Sequence, residues 1–225
     1  NWPVASWSSL EHGGKWKMLH HHARRFFQPV IVTAFQKEGQ VQVWAVNDRP
    51  HAVSGEVVAS VRGLDGKVRS TRTLPVQVPA NSSILLVEEP VATWTDTVDA
   101  TFLVMDLKAT GDGQIYAHRN QHCFTTWKHL DLPRANLRTE VVQAADGGLA
   151  VKLTSDAVAF YAWVNAEGIR GEFADNSLLL LPGESVTLPF RTKQAVTVDQ
   201  LRAALSTWHL EQSYREATVA IGAKG

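Results

Sequence analysis

The chain has 225 residues, of which 44% are hydrophobic, and its 22 basic residues balance its 22 acidic ones. This length is enough for one large domain or two small domains with real cores. The balanced charge leaves no electrostatic footprint for a nucleic acid or an anionic membrane surface, and no apolar run approaches the length that crosses a bilayer. We therefore expect neither a nucleic-acid partner nor a membrane partner.

The first 29 residues differ in pattern from the rest of the chain. They open with Asn-Trp-Pro-Val-Ala-Ser-Trp-Ser-Ser-Leu-Glu, and a basic, aromatic stretch from Gly14 to Phe27 follows before Pro29. This pattern predicts an irregular loop and then a helix that Pro29 ends. Because the block has no initiator Met, no signal-like segment and no long first strand, we expect the chain to be the C-terminal piece of a larger protein.

From Val30 to about Phe124, hydrophobic residues alternate with polar ones in short runs that are separated by Gly-, Asn- and Asp-rich turns. Alternation at a period of two predicts half-buried strands. Roughly seven strands fit in this stretch, which is the number in an immunoglobulin-like sandwich. Residues 128–134 look like an irregular connector, and the shorter strands beyond them predict a second, smaller sandwich.

Two features near the end of the chain break the β pattern. Thr197 and Gln200 have the spacing of a capping box before Leu201, which predicts one short helix. Residues 208–214 are predicted to form a last strand, and the tail beyond them to fray.

The cysteine and the glycosylation sequon are recognised from residue type alone. Cys123 is the single cysteine, so a disulfide within the chain is impossible, and we expect a small buried hydrophobe at this position. The sequon Asn81-Ser82-Ser83 would accept an N-linked glycan in a secretory pathway.

The order of motifs in residues 1–29 resembles the end of the catalytic barrel in family 2 glycoside hydrolases, most closely the β-mannosidase branch. There a last barrel strand leads into a Ser-Trp-Ser-Ser-Leu-Glu loop, a helix reading Gly-Lys-Trp-Lys-x-Leu-His and a later Phe-Phe-x-Pro. Glu88-Glu89-Pro90 and the stretch from Gly168 to Asn176 are similar to the same branch, whereas His12 and His21 stand where it has aromatic residues.

This resemblance implies a mainly β protein of three parts. Residues 1–29 would be the end of a (β/α)8 catalytic barrel, contributing its last strand or loop and its helix. Residues 30–127 would form an immunoglobulin-like β-sandwich, and residues 128–225 a second, smaller one.

Trp2 and Trp7 lie five residues apart around Pro3, in a segment that regular helix does not accommodate. A loop that follows a barrel strand lies at the C-terminal face, where barrel enzymes build their sites. Indole faces pack on the apolar C–H face of a pyranose ring, so the two rings either contact a sugar or merely plug the barrel mouth. Through the resemblance, Asn1 joins Trp2 and Trp7 as a substrate-binding candidate, because the Asn-Asp-x-Trp end of the last strand lines the pocket in the related enzymes.

The carboxylates of this chain do not suggest a catalytic pair. Retaining glycoside hydrolysis needs two carboxyl groups about 5 to 5.5 Å apart. Glu11 is spaced from Ser8 as in a capping box, and Glu88 and Glu89 are neighbours on a strand whose side chains point to opposite faces. We expect no catalytic residue in this chain, and the resemblance implies that the acid/base and nucleophile glutamates lie on earlier barrel strands.

The histidines do not suggest a metal site either. Residues 20–22 are all histidine, but consecutive helical positions point about 100° apart and do not converge on one ion. We expect His20 to lie on the apolar helix face with Trp16 as a buried core histidine, and His118 and His122 to be an incidental pair. The chain is predicted to bind no metal and no organic cofactor.

Three functions from different classes remain. The first, which we adopt, is the C-terminal part of a retaining exo-β-mannosidase, inactive as a separate segment, whose partners are the rest of the barrel and a β-mannoside oligosaccharide or glycoprotein-derived glycan. The second is the same family acting on a β-galactoside, glucuronide or glucosaminide. The third is a non-catalytic pair of sandwiches that binds carbohydrate or protein through an exposed ring, for which the candidates are Trp44, Trp94, Trp127 and Trp163.

Overall fold

A computed structural model describes residues 8–11, 14–144 and 147–214. The described part of the chain is mainly β, as the alternating pattern predicts. Two compact units divide it: residues 25–131 form the first unit, and residues 132–214 together with the described residues before 25 form the second. No helix in the described ranges is long and apolar enough to cross a membrane.

The elements up to residue 131 are helix α1 (Met18–Phe26), strands β1 (Val30–Lys37), β2 (Gln40–Asn47), β3 (Val53–Gly63), β4 (Val68–Val78) and β5 (Ser82–Pro90), helix α2 (Val91–Trp94), strands β6 (Thr101–Gly111) and β7 (Gln114–Cys123), and a 3-10 turn (Trp127–His129). The elements beyond are strands β8 (Leu137–Gln143), β9 (Leu149–Ser155), β10 (Ala159–Ala166), β11 (Glu172–Phe173), β12 (Leu178–Leu180) and β13 (Ser185–Arg191), helix α3 (Val198–Ala204) and strand β14 (Leu205–Trp208).

The first unit is a sandwich of seven strands, as the sequence predicts. One sheet has the order β1-β2-β5 and the other the order β4-β3-β6-β7, and every pairing is antiparallel. Alternate residues such as Val41, Val43 and Leu103 are fully buried between the sheets. The residues before and after each of them face the opposite side of the sheet, because successive side chains of a strand alternate between its two faces.

The second unit repeats this layout with shorter strands. Its sheets have the orders β12-β10-β14 and β11-β13-β9-β8, and Leu153, Val164 and Leu188 lie in its core. Thr197 and Gln200 form the predicted capping box at the start of α3: Gln200 N–H donates to Thr197 Oγ1 at 3.2 Å, and Thr197 N–H donates to Gln200 Oε1 at 2.9 Å.

The N-terminal helix is shorter than the sequence predicts. It starts at Met18, because Gly14 adopts a φ of 90° that a right-handed helix excludes. The turn around Gly14 lets Leu10 and Trp16 pair as an antiparallel bridge. The expected capping box of Ser8 and Glu11 is therefore wrong. Ser8 Oγ donates to the Leu10 carbonyl at 2.9 Å and accepts from Leu10 N–H at 3.1 Å, so it bonds its own loop and not the start of the helix.

The predicted last strand at residues 208–214 is wrong, because the last strand ends where that range begins. Strand β14 ends at Trp208, and residues 210–214 are helical. His209 N–H donates to Gln212 Oε1 at 2.8 Å, so the Gln212 side chain caps this helical stretch from inside. The alternation of apolar and polar residues is too short here to separate strand from helix.

Candidate functional site

The substrate-binding candidates Asn1, Trp2 and Trp7 lie outside the described residues. The description of this block begins at Ser8, and residues 8–11 and 14–24, here called the N-terminal segment, belong to the same unit as the second sandwich. The contacts of this segment therefore fix the described part of the chain that lies next to the candidate residues in sequence.

The three consecutive histidines of α1 have different polar neighbours. His20 Nδ1 lies 2.8 Å from Ser9 Oγ, inside the N-terminal segment. His22 Nε2 lies 3.0 Å from Ser177 Oγ, and its ring meets Tyr161 edge to face at a centroid distance of 5.2 Å. The divergence follows from the 100° step of a helix.

Among the three histidines of α1, His21 is the buried one, and the prediction that His20 is a buried core histidine is wrong, because His20 is half-buried. His21 is 2% exposed, and its ring lies between Trp16 and Trp163 at centroid distances of 5.1 and 5.5 Å. Its Nδ1 is 3.6 Å from Asp175 Oδ1. The face of α1 that packs on the sandwich is therefore centred on His21 and not on the expected apolar face of Leu19 and His20. Leu19 is exposed.

A four-residue turn of the second sandwich, Ala174–Ser177, receives α1. The Ala174 carbonyl accepts a hydrogen bond from Arg24 Nη1, and the next three side chains meet His21, Val164 and His22 in that order. The turn belongs to the stretch that resembles the β-mannosidase branch. The polar run Asp175-Asn176-Ser177 between apolar residues is the sequence signal that could have located it.

Asn176 fixes the turn to strand β10. Its Oδ1 accepts from Val164 N–H at 2.9 Å, and its Nδ2 donates to the Val164 carbonyl at 2.7 Å. The side chain thus makes with the fully buried Val164 the two backbone hydrogen bonds that a neighbouring strand would make.

Two residues with strained backbone angles contact α1, one in this turn and one on strand β10. Ser177 has a φ of 56°, and Tyr161, at a bulge of β10, has a φ of 55°. Non-glycine residues adopt this left-handed region rarely and at an energetic cost. Both side chains contact His22, so the strain aims them at the helix.

The paired glutamates point in opposite directions, as expected for neighbours on a strand. Glu88 accepts from Gln42 Nε2 on β2 at 2.8 Å, whereas Glu89 forms an ion pair with Arg72 Nη1 on β4 at 2.8 Å. They therefore do not face a common substrate bond, and they do not form the carboxyl pair that glycoside hydrolysis needs.

His118 and His122 also have separate partners. Val32 N–H donates to His118 Nδ1 at 3.3 Å, and His122 Nε2 lies 3.2 Å from Gln36 Oε1. Burial lowers the pKa of both imidazoles. Within residues 8–11, 14–144 and 147–214, no cluster of three or more His, Cys, Asp or Glu side chains is arranged to hold a metal.

The thiol of Cys123 is half-buried at the end of β7. Burial raises its pKa to about 12. A nucleophilic cysteine needs the opposite shift. The sequence predicts a buried residue here, and the structure has a half-buried one.

A shallow groove of about 530 Å³ opens between α3 and the loop after β10, where Glu167 is the one carboxylate among the described lining residues. Its amides are already engaged: Gln194 accepts from Arg170 N–H at 3.0 Å, and Gln200 caps α3. The groove therefore lacks the second carboxyl group that hydrolysis requires.

Two of the four candidate rings for a binding platform are engaged in packing. Trp94 is buried with the guanidinium of Arg72 over its ring at 4.1 Å, and Trp163 packs on His21. Trp127 lies in the 3-10 turn. Trp44 stands on the outer face of β2.

Comparison with known proteins assigns both sandwiches. Residues 39–129 match the family described as the Mannosidase Ig/CBM-like domain, and residues 132–213 match the family of mannosidases described as an Ig-fold domain. The β-mannosidase of Capra hircus is 31% identical over 80% of this chain and 21% of its own length. Those of Mus musculus (28%) and Aspergillus clavatus (26%) match 95% and 96% of this chain and 25% of their own lengths. The chain thus spans about a quarter of the length of these relatives.

Solved structures show the same fold. The β-D-mannosidase of Dictyoglomus thermophilum matches 92% of this chain and 25% of its own, with a TM-score of 0.73 and 22% identity. An exo-chitosanase of Amycolatopsis orientalis matches 91% of this chain and 29% of its own, with a TM-score of 0.54 and 18% identity.

Proposed function

The chain belongs to the β-mannosidase branch of the family 2 glycoside hydrolases, as the C-terminal portion of such an enzyme, and from this premise we propose that the complete protein is a retaining exo-β-mannosidase. Its substrate would be a terminal, non-reducing β-D-mannose residue of an oligosaccharide or of a glycoprotein-derived glycan. The observation that carries the proposal is the succession of two mannosidase domains along the chain, at residues 39–129 and 132–213.

The reaction would be a double displacement. One glutamate attacks the anomeric carbon and forms a covalent mannosyl-enzyme, while the second protonates the leaving oxygen and then deprotonates the water that releases mannose. Both glutamates would lie outside this chain, on earlier strands of the barrel. The engagement of Glu88 and Glu89 with Gln42 and Arg72 supports this assignment.

Residues 1–29 would close the catalytic barrel, with the sandwiches at 30–127 and 128–225 as its support. Phe26 and Phe27 favour this role: their rings contact each other at a centroid distance of 4.7 Å, and Phe27 is 79% exposed. An apolar pair of this kind would gain by being covered, at roughly 25 cal/mol per Å² of apolar surface. The rest of the barrel is the proposed cover.

Asn1, Trp2 and Trp7 would contact the sugar from the loop that precedes the N-terminal segment. Their support is the anchoring of the chain directly after them. Lys17 N–H donates to the Ser9 carbonyl at 3.0 Å, and Lys15 Nζ reaches Asn165 Oδ1 at 3.0 Å. A loop held at its base can keep aromatic rings in place for a substrate.

The test is hydrolysis of an aryl β-D-mannoside by this chain alone and by a longer polypeptide that includes the preceding barrel. We expect turnover in the longer polypeptide and none in the chain. Aryl β-galactoside, β-glucuronide and β-glucosaminide serve as sugar controls, and faster turnover of any of them would reassign the substrate. Turnover by the 225-residue chain itself would show that it holds its own catalytic carboxylates.

Single variants in the longer polypeptide test the sugar contacts. Trp2→Ala should lower kcat/KM by about tenfold or more, equivalent to about 1.4 kcal/mol of lost transition-state binding. Trp44→Ala removes an equally large ring from the first sandwich and should leave this activity unchanged. Equal effects of the two changes would refute a direct contact by Trp2.

A further inference from the structure

The outer face of the β1-β2-β5 sheet carries two neighbouring rows of side chains. Strand register aligns Phe35, Gln42 and Glu88 across the three strands, and Thr33, Trp44 and Leu85 in the next row. A bulge in the β2-β5 pairing, after Val43, keeps the members of both rows on one side. We call these six residues the Trp44 face.

Two aromatic rings dominate the Trp44 face. The planes of Phe35 and Trp44 are 10° apart, and their centroids are separated by 6.5 Å. Phe35 is 44% exposed and Leu85 is 40% exposed, while Trp44 is half-buried. Large apolar side chains that lie together on one exposed sheet face indicate a binding surface for a ligand or a partner.

Polar groups run beside the rings as a hydrogen-bonded chain. Trp44 Nε1 donates to Gln42 Oε1 at 3.2 Å, and Gln42 Nε2 donates to Glu88 Oε1 at 2.8 Å. The indole N–H is therefore engaged within the protein, and the flat π-face of the ring is what remains to be offered. In the described part of the chain, Glu88 Oε2 has no hydrogen-bond partner, so a carboxylate acceptor stands next to the rings.

This combination matches a sugar chain better than a protein surface. The apolar C–H face of a pyranose packs on an aromatic face, while its equatorial hydroxyls donate to carboxylate and amide groups at the ring edge. Two nearly parallel rings suit two consecutive sugars of a straight, equatorially linked chain. A protein partner would instead have to desolvate Glu88 in the middle of an apolar contact, which costs free energy without a paired cation.

We propose that the Trp44 face is a non-catalytic binding site for β-1,4-linked mannan chains. It holds a polysaccharide through Phe35, Trp44 and Glu88 while hydrolysis takes place elsewhere. The choice of mannose rests on the proposed function; the glycan class rests on the rings and their polar neighbours. The site belongs entirely to the first sandwich and needs no residue of the barrel.

Titration of the isotope-labelled 225-residue chain with β-1,4-mannohexaose tests the proposal. We expect NMR shift changes concentrated at the backbone amides of the Trp44 face and at the Trp44 indole. Cellohexaose and an α-1,6-linked dextran oligosaccharide are the sugar controls, and the dextran should give no shifts. Shifts with cellohexaose of the same size would keep the site and widen its sugar class.

Variants give the second arm of the test. Trp44→Ala should weaken binding to mannohexaose by at least about tenfold, Phe35→Ala by a few-fold, and Trp44→Phe by less than Trp44→Ala. Phe27→Ala removes a more exposed ring that lies eight residues before Phe35, outside the strands of the Trp44 face, and this variant should bind as the parent does. Unchanged circular dichroism and thermal unfolding show that each variant is folded.

Two outcomes overturn the proposal. One is the absence of shifts at millimolar mannohexaose; the other is self-association of the chain that Trp44→Ala abolishes, which would make the Trp44 face a protein contact. Hydrolysis by the longer polypeptide together with no binding by the chain would refute this site and leave the proposed function standing. Binding by the chain without hydrolysis by the longer polypeptide would keep this site and refute the proposed function.

Discussion

Replacing Asn176 with alanine should loosen the second sandwich and release the helix packed on it. The asparagine side chain makes two short hydrogen bonds, of 2.9 and 2.7 Å, to the backbone of Val164, and a third, of 3.1 Å, from Ser177 N–H. Val164 and Ser177 are buried, so the alanine variant leaves an amide and a carbonyl of Val164 without partners.

The expected loss follows from these two groups. Leaving a buried polar group unsatisfied costs about 1 to 3 kcal/mol, so the pair should cost about 3 kcal/mol after relaxation of the site. Asn176→Asp keeps the acceptor for the Val164 amide but turns an oxygen toward the Val164 carbonyl. It should destabilise at least as much as alanine.

Hydrogen exchange measured by mass spectrometry is the assay, because the two units can unfold separately and a single melting curve would mix them. Peptides of β10 and of α1 should exchange faster in the variant, while peptides of the first unit should not change. Asn136→Ala is the matched control: Asn136 is exposed in the same unit and bonds Asp156, so its loss should stay within about 0.5 kcal/mol. If Asn176→Ala and Asn136→Ala behave alike, the strand-like role of Asn176 is wrong.

Three further predictions concern the first unit. Because burial raises the pKa of Cys123 to about 12, iodoacetamide at pH 7.5 should label it about a thousandfold more slowly than free cysteine, and rapid labelling of the folded chain would contradict this. Burial lowers the pKa of His118 and His122, so the unfolded state takes up protons first and the urea midpoint should fall as pH drops below 6.5. Replacing both histidines with glutamine should flatten that dependence, and an unaltered pH profile would exclude them as its source. Gly55→Ala should cost at least about 2 kcal/mol, since its Cβ would lie 2.1 Å from the Lys108 carbonyl oxygen; an unfolding free energy equal to the parent's would refute the close approach.

Local patterns were enough to predict most of the elements. Strand β2 alternates buried and half-buried residues along its whole length, and the capping box at Thr197 starts α3 as expected. Both patterns depend on neighbours a few residues away, which a sequence displays directly. The assignment of residues 1–29 to the end of a barrel rests on motif order and stays a prediction.

The sequence did not predict how the N-terminal segment packs. The turn at Gly14 shortens the helix. His21 is the buried histidine of α1 because Trp163, on strand β10, and Asp175, in the turn after β11, contact it from far along the chain. Asn176 stands in a polar run, Asp175-Asn176-Ser177, and its hydrogen bonds to the backbone of Val164 bring together residues 12 positions apart. Contacts of this kind join residues that are remote in sequence, so the periodicity of hydrophobic residues does not predict them.

The amino-acid sequence by itself determined the two-sandwich architecture, its strands and its relation to β-mannosidases. Burial of one strand face produces an alternation between adjacent residues, and motif order is likewise a property of residues close together in sequence. Only the tertiary structure decided which face of α1 is buried and which rings form the Trp44 face. Phe35 and Trp44 come together through the register of β1 on β2, and such a register is set by the packing of whole sheets rather than by either strand alone.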